Sequence, residues 1–139
     1  MKKISIVTPT FNEKDNIELL CQKIREEFSK INYNYEHIII DNNSDDGTIS
    51  ILRKICENDK NVKVIINNKN YGHIRSPYYG ILQSTGDATI FMLSDFQDPI
   101  ELIPKLIEMW ETKHKVVLLQ KKSSEEGFFI NKAIKDYGN

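Results

Sequence analysis

Tyr35-Glu36-His37-Ile38-Ile39-Ile40, running on into Asp41-Asn42-Asn43-Ser44-Asp45-Asp46-Gly47-Thr48, decides how this chain is read. The first six residues have the length and β-branched character of a strand, and three consecutive isoleucines predict burial on both faces. The next eight are types that form turns and helix caps. Ile49, Leu52, Ile55 and Cys56 then recur at helical spacing. A doubly buried strand that passes through a polar turn into a helix is the first half of a βαβ unit, and such units imply a parallel sheet.

The same alternation extends both ways. Upstream, Ile4 to Thr8 reads as a strand, and Asn12 or Asp15 is placed to cap a helix carrying Ile17, Leu20, Cys21, Ile24 and Phe28 on one face. Downstream, Val62 to Ile66 is a third strand. The loop 67–72 leads to a helix from about Ser76 to Gln83, with Pro77 in its first turn. Gly86-Asp87 is a turn and Ala88 to Leu93 a fourth strand. Pro99 opens a helix with Leu102, Ile103, Leu106, Ile107 and Trp110 on one side, Trp110 being read as core. Val116 to Leu119 is a fifth strand. The expected architecture is α/β, a mostly parallel sheet flanked by helices on both faces, over residues 1–120. Residues 121–139 show no clear partner element, although Phe128-Phe129-Ile130 is apolar enough to pack on something.

The chain has 139 residues, the ordinary size of one domain, with a formal net charge of −1 and a pI near 6.3. That balance gives no electrostatic support for general nucleic-acid binding. Cys21 and Cys56 both fall in helical segments and read as small core residues rather than a disulfide, which favours a reducing, cytoplasmic setting. No apolar run approaches the roughly 20 residues of a membrane span. The lysines at 2 and 3 with the short apolar run after them resemble a signal peptide only superficially, since Pro9 and the polar stretch 12–15 end it too early.

In open parallel sheets ligands bind beyond the carboxyl ends of the strands. Here those ends read Thr8-Pro9-Thr10-Phe11-Asn12-Glu13, Asp41-Asn42-Asn43-Ser44, Asn70-Tyr71-Gly72-His73 and Ser94-Asp95-Phe96-Gln97-Asp98. Topology alone predicts that Glu13, Asp41, Asp95, Gln97 and Asp98 gather along one edge. Carboxylates accept hydrogen bonds from ribose or sugar hydroxyls and base N–H groups, and they bind hard divalent cations. Asp95-x-Gln97 offers two oxygens to one such cation. The dinucleotide glycine fingerprint and the P-loop are both absent, so a cradle of backbone amides is not the design for phosphate. A metal ion and cationic side chains such as Arg75 are left for that task. The plainer readings are caps and turns at Asp41-Asn42-Asn43-Ser44 and Thr10 to Asp15, a helix start at Asp98-Pro99, packing roles for Tyr71, Tyr78 and Tyr79, and structural or surface roles for His37 and His73.

Taken together, Val7-Thr8-Pro9-Thr10-Phe11-Asn12-Glu13, Ile40-Asp41-Asn42-Asn43-Ser44-Asp45-Asp46-Gly47-Thr48, Asn70-Tyr71-Gly72-His73, Gly86-Asp87-Ala88 and Leu93-Ser94-Asp95-Phe96-Gln97-Asp98-Pro99 resemble the family-2 glycosyltransferases of GT-A fold. Within them the chain looks most like the dolichol- or polyprenyl-phosphate sugar transferases and related bacterial polysaccharide enzymes. The resemblance covers about residues 3 to 120. It implies a nucleoside-diphosphate sugar donor, a Mg²⁺ or Mn²⁺ ion, and a lipid-phosphate or glycan acceptor. It further implies that Pro9, Phe11 and Glu13 line the nucleoside and that Ile39 and Asp41 contact the base. Arg75 would contact base or phosphate, while Asp95 and Gln97 would bind the metal. Two departures stand out. The family usually has Asp-x-Asp at the end of strand four, where this chain has Leu93. The carboxylate base of inverting members lies well after the metal motif, and none is assigned here. Residues 121–139 are expected to start an acceptor-side region, with any membrane association belonging to a longer form at the inner face of the membrane. A non-catalytic nucleotide-binding α/β module, or an inactive transferase fragment, is the competing expectation. A phosphoryl-accepting receiver domain is a weak third, because strand three ends in Ile65-Ile66-Asn67-Asn68 without an aspartate.

Overall fold

A computed structural model describes residues 2–70, 79–93, 100–112, 116–123 and 127–132, with only the backbone from residue 112 onward. The elements in order are β1 (Lys3–Thr10), α1 (Ile17–Ser29), β2 (Asn34–Asp41), α2 (Thr48–Asn58), β3 (Val62–Ile66), β4 (Ala88–Phe91), a 3₁₀ turn (Ile100–Leu102), α3 (Ile103–Thr112), β5 (Val116–Ser123) and β6 (Gly127–Lys132). Residues 79–83 are helical. The strands form one sheet in the order β3-β2-β1-β4-β5-β6. Neighbours are parallel except β5 and β6, which are antiparallel.

β2 is buried along nearly its whole length, as its isoleucine run predicts. Residues alternate between the two faces. Ile4 and Ile6 of β1 and Ile39 of β2 face the larger core, where they pack with Ile17, Leu20 and Ile24 of α1, Leu52 of α2, and Ile103 and Leu106 of α3. Val7, Ile38 and Ile40 face the opposite side and pack with Ile81 of the helical residues 79–83. Helices therefore cover both faces. Gly80 shows how closely that second layer approaches: a Cβ built there would collide with the side chains of Ile40 and Val7.

Four readings are corrected. β6 pairs with β5 from Val117↔Lys132 to Ser123↔Gly127, so part of the segment 121–139 does have a partner, and β5 itself runs past residue 120 to Ser123. Cys56 is exposed, because it lies one residue beyond the buried Ile55 on α2; Cys21 is buried as expected. Tyr79 is 48% exposed rather than packed. Trp110 is only partly buried at the rim of the core, where Lys2 Nζ lies 5.2 Å from its ring centroid.

Candidate functional site

The parallel register brings Thr10 of β1 level with Asp41 of β2, so the two following loops leave the same edge side by side. The chain leaves β4 on this edge too, with Phe91 level with Val7 and the Met92 amide donating to the Val7 carbonyl at 2.9 Å. The edge predicted from topology therefore exists for β1, β2 and β4. Arg75, Asp95, Gln97 and Asp98 fall outside the described residues, as do Tyr71, His73 and Tyr78.

Asp41 is fully buried, and its carboxylate is occupied by its own loop. Oδ1 accepts from the Thr10 hydroxyl at 3.0 Å and from the Ser44 hydroxyl; Oδ2 accepts from the Ser44 amide at 2.7 Å. The side chain thus joins the end of β1 to the first turn after β2. Ile39 is also fully buried and points into the larger core. Glu13 is half-buried and accepts from Asn16 Nδ2 at 3.1 Å. Pro9 is half-buried, while Phe11 presents 46% of its surface to solvent.

The two loops are laced together. The Asn12 amide donates to Ser44 Oγ at 2.8 Å, and Asn12 Oδ1 accepts from the Asp45 amide at 2.9 Å. The Glu13 amide donates to Thr48 Oγ1 at 3.1 Å, and the Lys14 amide reaches Asp46 Oδ2 at 3.5 Å. Asp46 in turn takes the Thr48 amide at 3.0 Å and the Thr48 hydroxyl. Burial pushes the Asp46 carboxyl up, but the Thr48 and Lys14 hydrogen bonds outweigh it and hold it below the usual range. Two turns in this lacing use left-handed backbone, Asn12 at φ 54° and Asn43 at φ 65°, a region that asparagine tolerates better than most residues.

Residue types alone point to a cap at Asn12 or Asp15, but the first residue before α1 is Asn16, which makes no side-chain cap hydrogen bond. Asn12 is committed across to the neighbouring loop instead. Ser44, Asn12 and Thr48 escape single-sequence reading because each bond spans more than thirty residues.

Among the described residues no cluster of three or more histidine, cysteine, aspartate or glutamate side chains is arranged to hold a metal ion. Asp41 has its oxygens turned inward on Thr10 and Ser44. The candidates for a hard cation remain Asp95 and Gln97, whose carboxylate and amide oxygens have the right chemistry for Mg²⁺ or Mn²⁺.

The family whose sequence model matches is Glycosyl transferase family 2, over residues 5–137. A bactoprenol glucosyl transferase of Shigella phage SfX is 36% identical over 119 residues, covering 86% of this chain and 39% of that protein. An undecaprenyl-phosphate 4-deoxy-4-formamido-L-arabinose transferase of Photorhabdus laumondii is 31% identical over 136 residues, covering 97% of this chain and 42% of that protein. The chain thus spans about two fifths of the length of these relatives. Among solved structures, S. aureus TarS 1–349 superposes with a TM-score of 0.65 at 25% identity, covering 90% of this chain and 37% of that one. A mannosyltransferase of Pyrobaculum calidifontis, in complex with GDP-Man and Mn²⁺, has a TM-score of 0.58 at 20% identity over 73% of this chain and 30% of that one. That second likeness concerns the fold.

Proposed function

Since the chain belongs to glycosyl transferase family 2, we propose that it forms the donor-binding part of an enzyme that moves a sugar from a nucleoside diphosphate to a polyprenyl phosphate. The observation that carries this reading is the laced edge where β1 and β2 end. It holds the Phe11 and Glu13 positions against the Asp41 loop in one fixed wall. A nucleoside lying along that wall would meet Pro9, the exposed ring of Phe11 and the carboxylate of Glu13. Asp41 would act there by shaping the loop, its own oxygens being engaged. Arg75 is assigned to the base or a phosphate. The names of the two relatives support a polyprenyl-phosphate acceptor.

Asp95 and Gln97 would hold a divalent cation, which offsets the charge of the diphosphate and of the departing nucleoside diphosphate. Leu93 stands where a second carboxylate is usual, so the diphosphate oxygens and water would have to supply the ligands that Asp95 and Gln97 do not. In the transfer, an oxygen of the acceptor phosphate forms the new bond to the sugar's anomeric carbon. The bond from that carbon to the diphosphate breaks, and the nucleoside diphosphate leaves. A phosphate monoester is already anionic at neutral pH, its second pKa lying near ~6, so this nucleophile needs no carboxylate to deprotonate it.

Calorimetry with UDP and with GDP, each with and without Mn²⁺, tests the donor site. Metal-dependent binding of one nucleotide is expected, and Asp95→Ala should abolish its metal dependence. A wild-type chain that binds neither nucleotide, or an Asp95→Ala chain indistinguishable from it, would overturn the reading. The missing acid at Leu93 favours one alternative, a module that binds the donor without transferring it. Sustained release of nucleoside diphosphate in the presence of polyprenyl phosphate excludes that alternative.

A further inference from the structure

We propose that Asn12 is the positioning residue of the nucleoside wall, a clasp that sets the β1–α1 loop against the β2–α2 loop before any ligand arrives. The inference rests on the donor-binding reading above and assigns a role to a residue that no ligand contact requires. Asn12 is exposed, adds nothing to either core, and does not cap α1. Yet its backbone sits at φ 54°, and both its amide and its side-chain oxygen are spent on the neighbouring loop.

The two bonds have a particular reach. The amide donates to Ser44 Oγ at 2.8 Å, and that hydroxyl in turn donates to Asp41 Oδ1. The side-chain oxygen takes the Asp45 amide at 2.9 Å. Asn12 therefore grips the β2–α2 loop on both sides of the Ser44–Asp45 peptide, immediately after the left-handed Asn43. Its sequence neighbours, Phe11 and Glu13, are the residues assigned to the nucleoside. Turning the chain at Asn12 leaves the Phe11 ring 46% exposed and sends the Glu13 amide to Thr48. Without the clasp, two surface loops would have to be ordered by the nucleotide itself, and that ordering is drawn from binding affinity.

Asn12→Gly is the informative variant, because glycine accepts the positive φ and keeps the amide while removing the oxygen that holds Asp45. Three readouts are taken on the whole chain: affinity for UDP and GDP by calorimetry, thermal midpoint, and exchange of the Asp45 amide by NMR. The variant should unfold within about 5 °C of wild type, since only one exposed hydrogen bond is lost. Its nucleotide Kd should rise about tenfold and its Asp45 amide should exchange about tenfold faster, the equivalent of that bond. Asn12→Asp keeps an oxygen for Asp45 and tolerates the same backbone. It should restore the amide's protection, and it should recover less of the affinity than of the protection because its carboxylate adds charge beside Asp45, Asp46 and Glu13. A wild-type chain that binds a nucleotide, with an unchanged Kd in Asn12→Gly, overturns the inference and leaves the donor reading standing. A wild-type chain that binds neither nucleotide overturns the donor reading, and the inference falls with it. Unchanged Asp45 exchange in Asn12→Gly removes the clasp in either case.

Discussion

Glu36 and His37 are adjacent in β2 and point to opposite faces of the sheet, where each meets burial in a different way. Glu36 is 2% exposed and is held by Lys63 at 2.6 Å, by the Thr85 amide at 2.6 Å and by the Ser5 and Thr85 hydroxyls, with Lys3 at 3.5 Å. Burial pushes its carboxyl up, but the bonds from Lys63, Ser5 and Thr85 outweigh it and hold the pKa at about 2. Among the described residues His37 has the Thr8 hydroxyl at 2.8 Å and the Cys21 sulfur at 3.8 Å beside its ring, and burial pushes it down to about 4, against a smaller opposing pull from Asp59. Both folded values lie below the ordinary ones of 4.5 and 6.5, so in each case the unfolded chain takes up the proton first as pH falls. His37 therefore contributes stability that is complete above pH 6.5 and is lost as pH drops to about 4. Glu36 contributes stability that is complete above pH 4.5 and fades toward pH 2. Urea unfolding followed from pH 7 to pH 4 should show a loss on the order of 3 kcal/mol from His37 alone. His37→Gln should flatten that part of the profile while leaving the Glu36 loss below pH 4.5. A wild-type profile flat between pH 6.5 and 4.5 would refute the assignment. What each does is set by partners on other elements, Thr8 and Cys21 for His37 and Ser5, Lys63 and Thr85 for Glu36, which residue type alone does not reveal.

Elements were legible where periodicity is strong. The α1 residues Ile17, Leu20, Cys21, Ile24 and Phe28 are all buried as their spacing predicts, and β3 spans Val62–Ile66 as read. β6 was not legible, because a Phe-Phe-Ile triplet shows no alternation and its partner strand is chosen by the sheet. The Gly86-Asp87 turn was recognised, but its reason is visible only in the packing. The Gly86 amide donates to Ser5 Oγ at 2.8 Å, and Asp87 brackets Lys3 through its amide at 2.6 Å and its carboxylate at 2.9 Å. A Cβ at Gly86 would lie 2.7 Å from the Ser5 nitrogen and 2.9 Å from the Lys3 carbonyl oxygen. These are backbone atoms of the central strand β1 and cannot swing aside, so the turn that feeds β4 would have to move. Gly86→Ala should destabilise the chain by about 1–3 kcal/mol, in the range of overpacking. Asp87→Asn, which keeps an acceptor for the Lys3 amide, should cost well under half as much. Chemical denaturation of the two variants decides the matter, and an alanine variant as stable as wild type would show that the turn has slack.

At the scale of the molecule, the site sits over the best-supported part of the sheet. β1 is flanked by β2 and β4 and is covered by helix on both faces, whereas β3 and β6 lie at the edges. The loops that bear Phe11, Asn12, Asp41 and Ser44 rise from β1 and β2, so the wall is anchored on strands buried from both sides. This arrangement separates two needs. The strands under the proposed nucleoside wall lie within the packed core, while elements farther along the sheet are held by fewer neighbours. Among the described strands β6 pairs with β5 only, and the pairing shifts register between Lys121 and Ser123. Amides in a cooperative core exchange through global unfolding and respond steeply to denaturant; those in a weakly held edge exchange by local opening and barely respond. Hydrogen exchange measured across a series of low urea concentrations should therefore place Ile6, Val7, Ile38 and Ile39 on the global isotherm. Phe129 and Ile130 should instead exchange faster, with a shallow urea dependence. If the β6 amides joined the same isotherm as β1, the β5–β6 hairpin would belong to the cooperative core, and the division of stability between the site's anchor and the far edge of the sheet would be wrong.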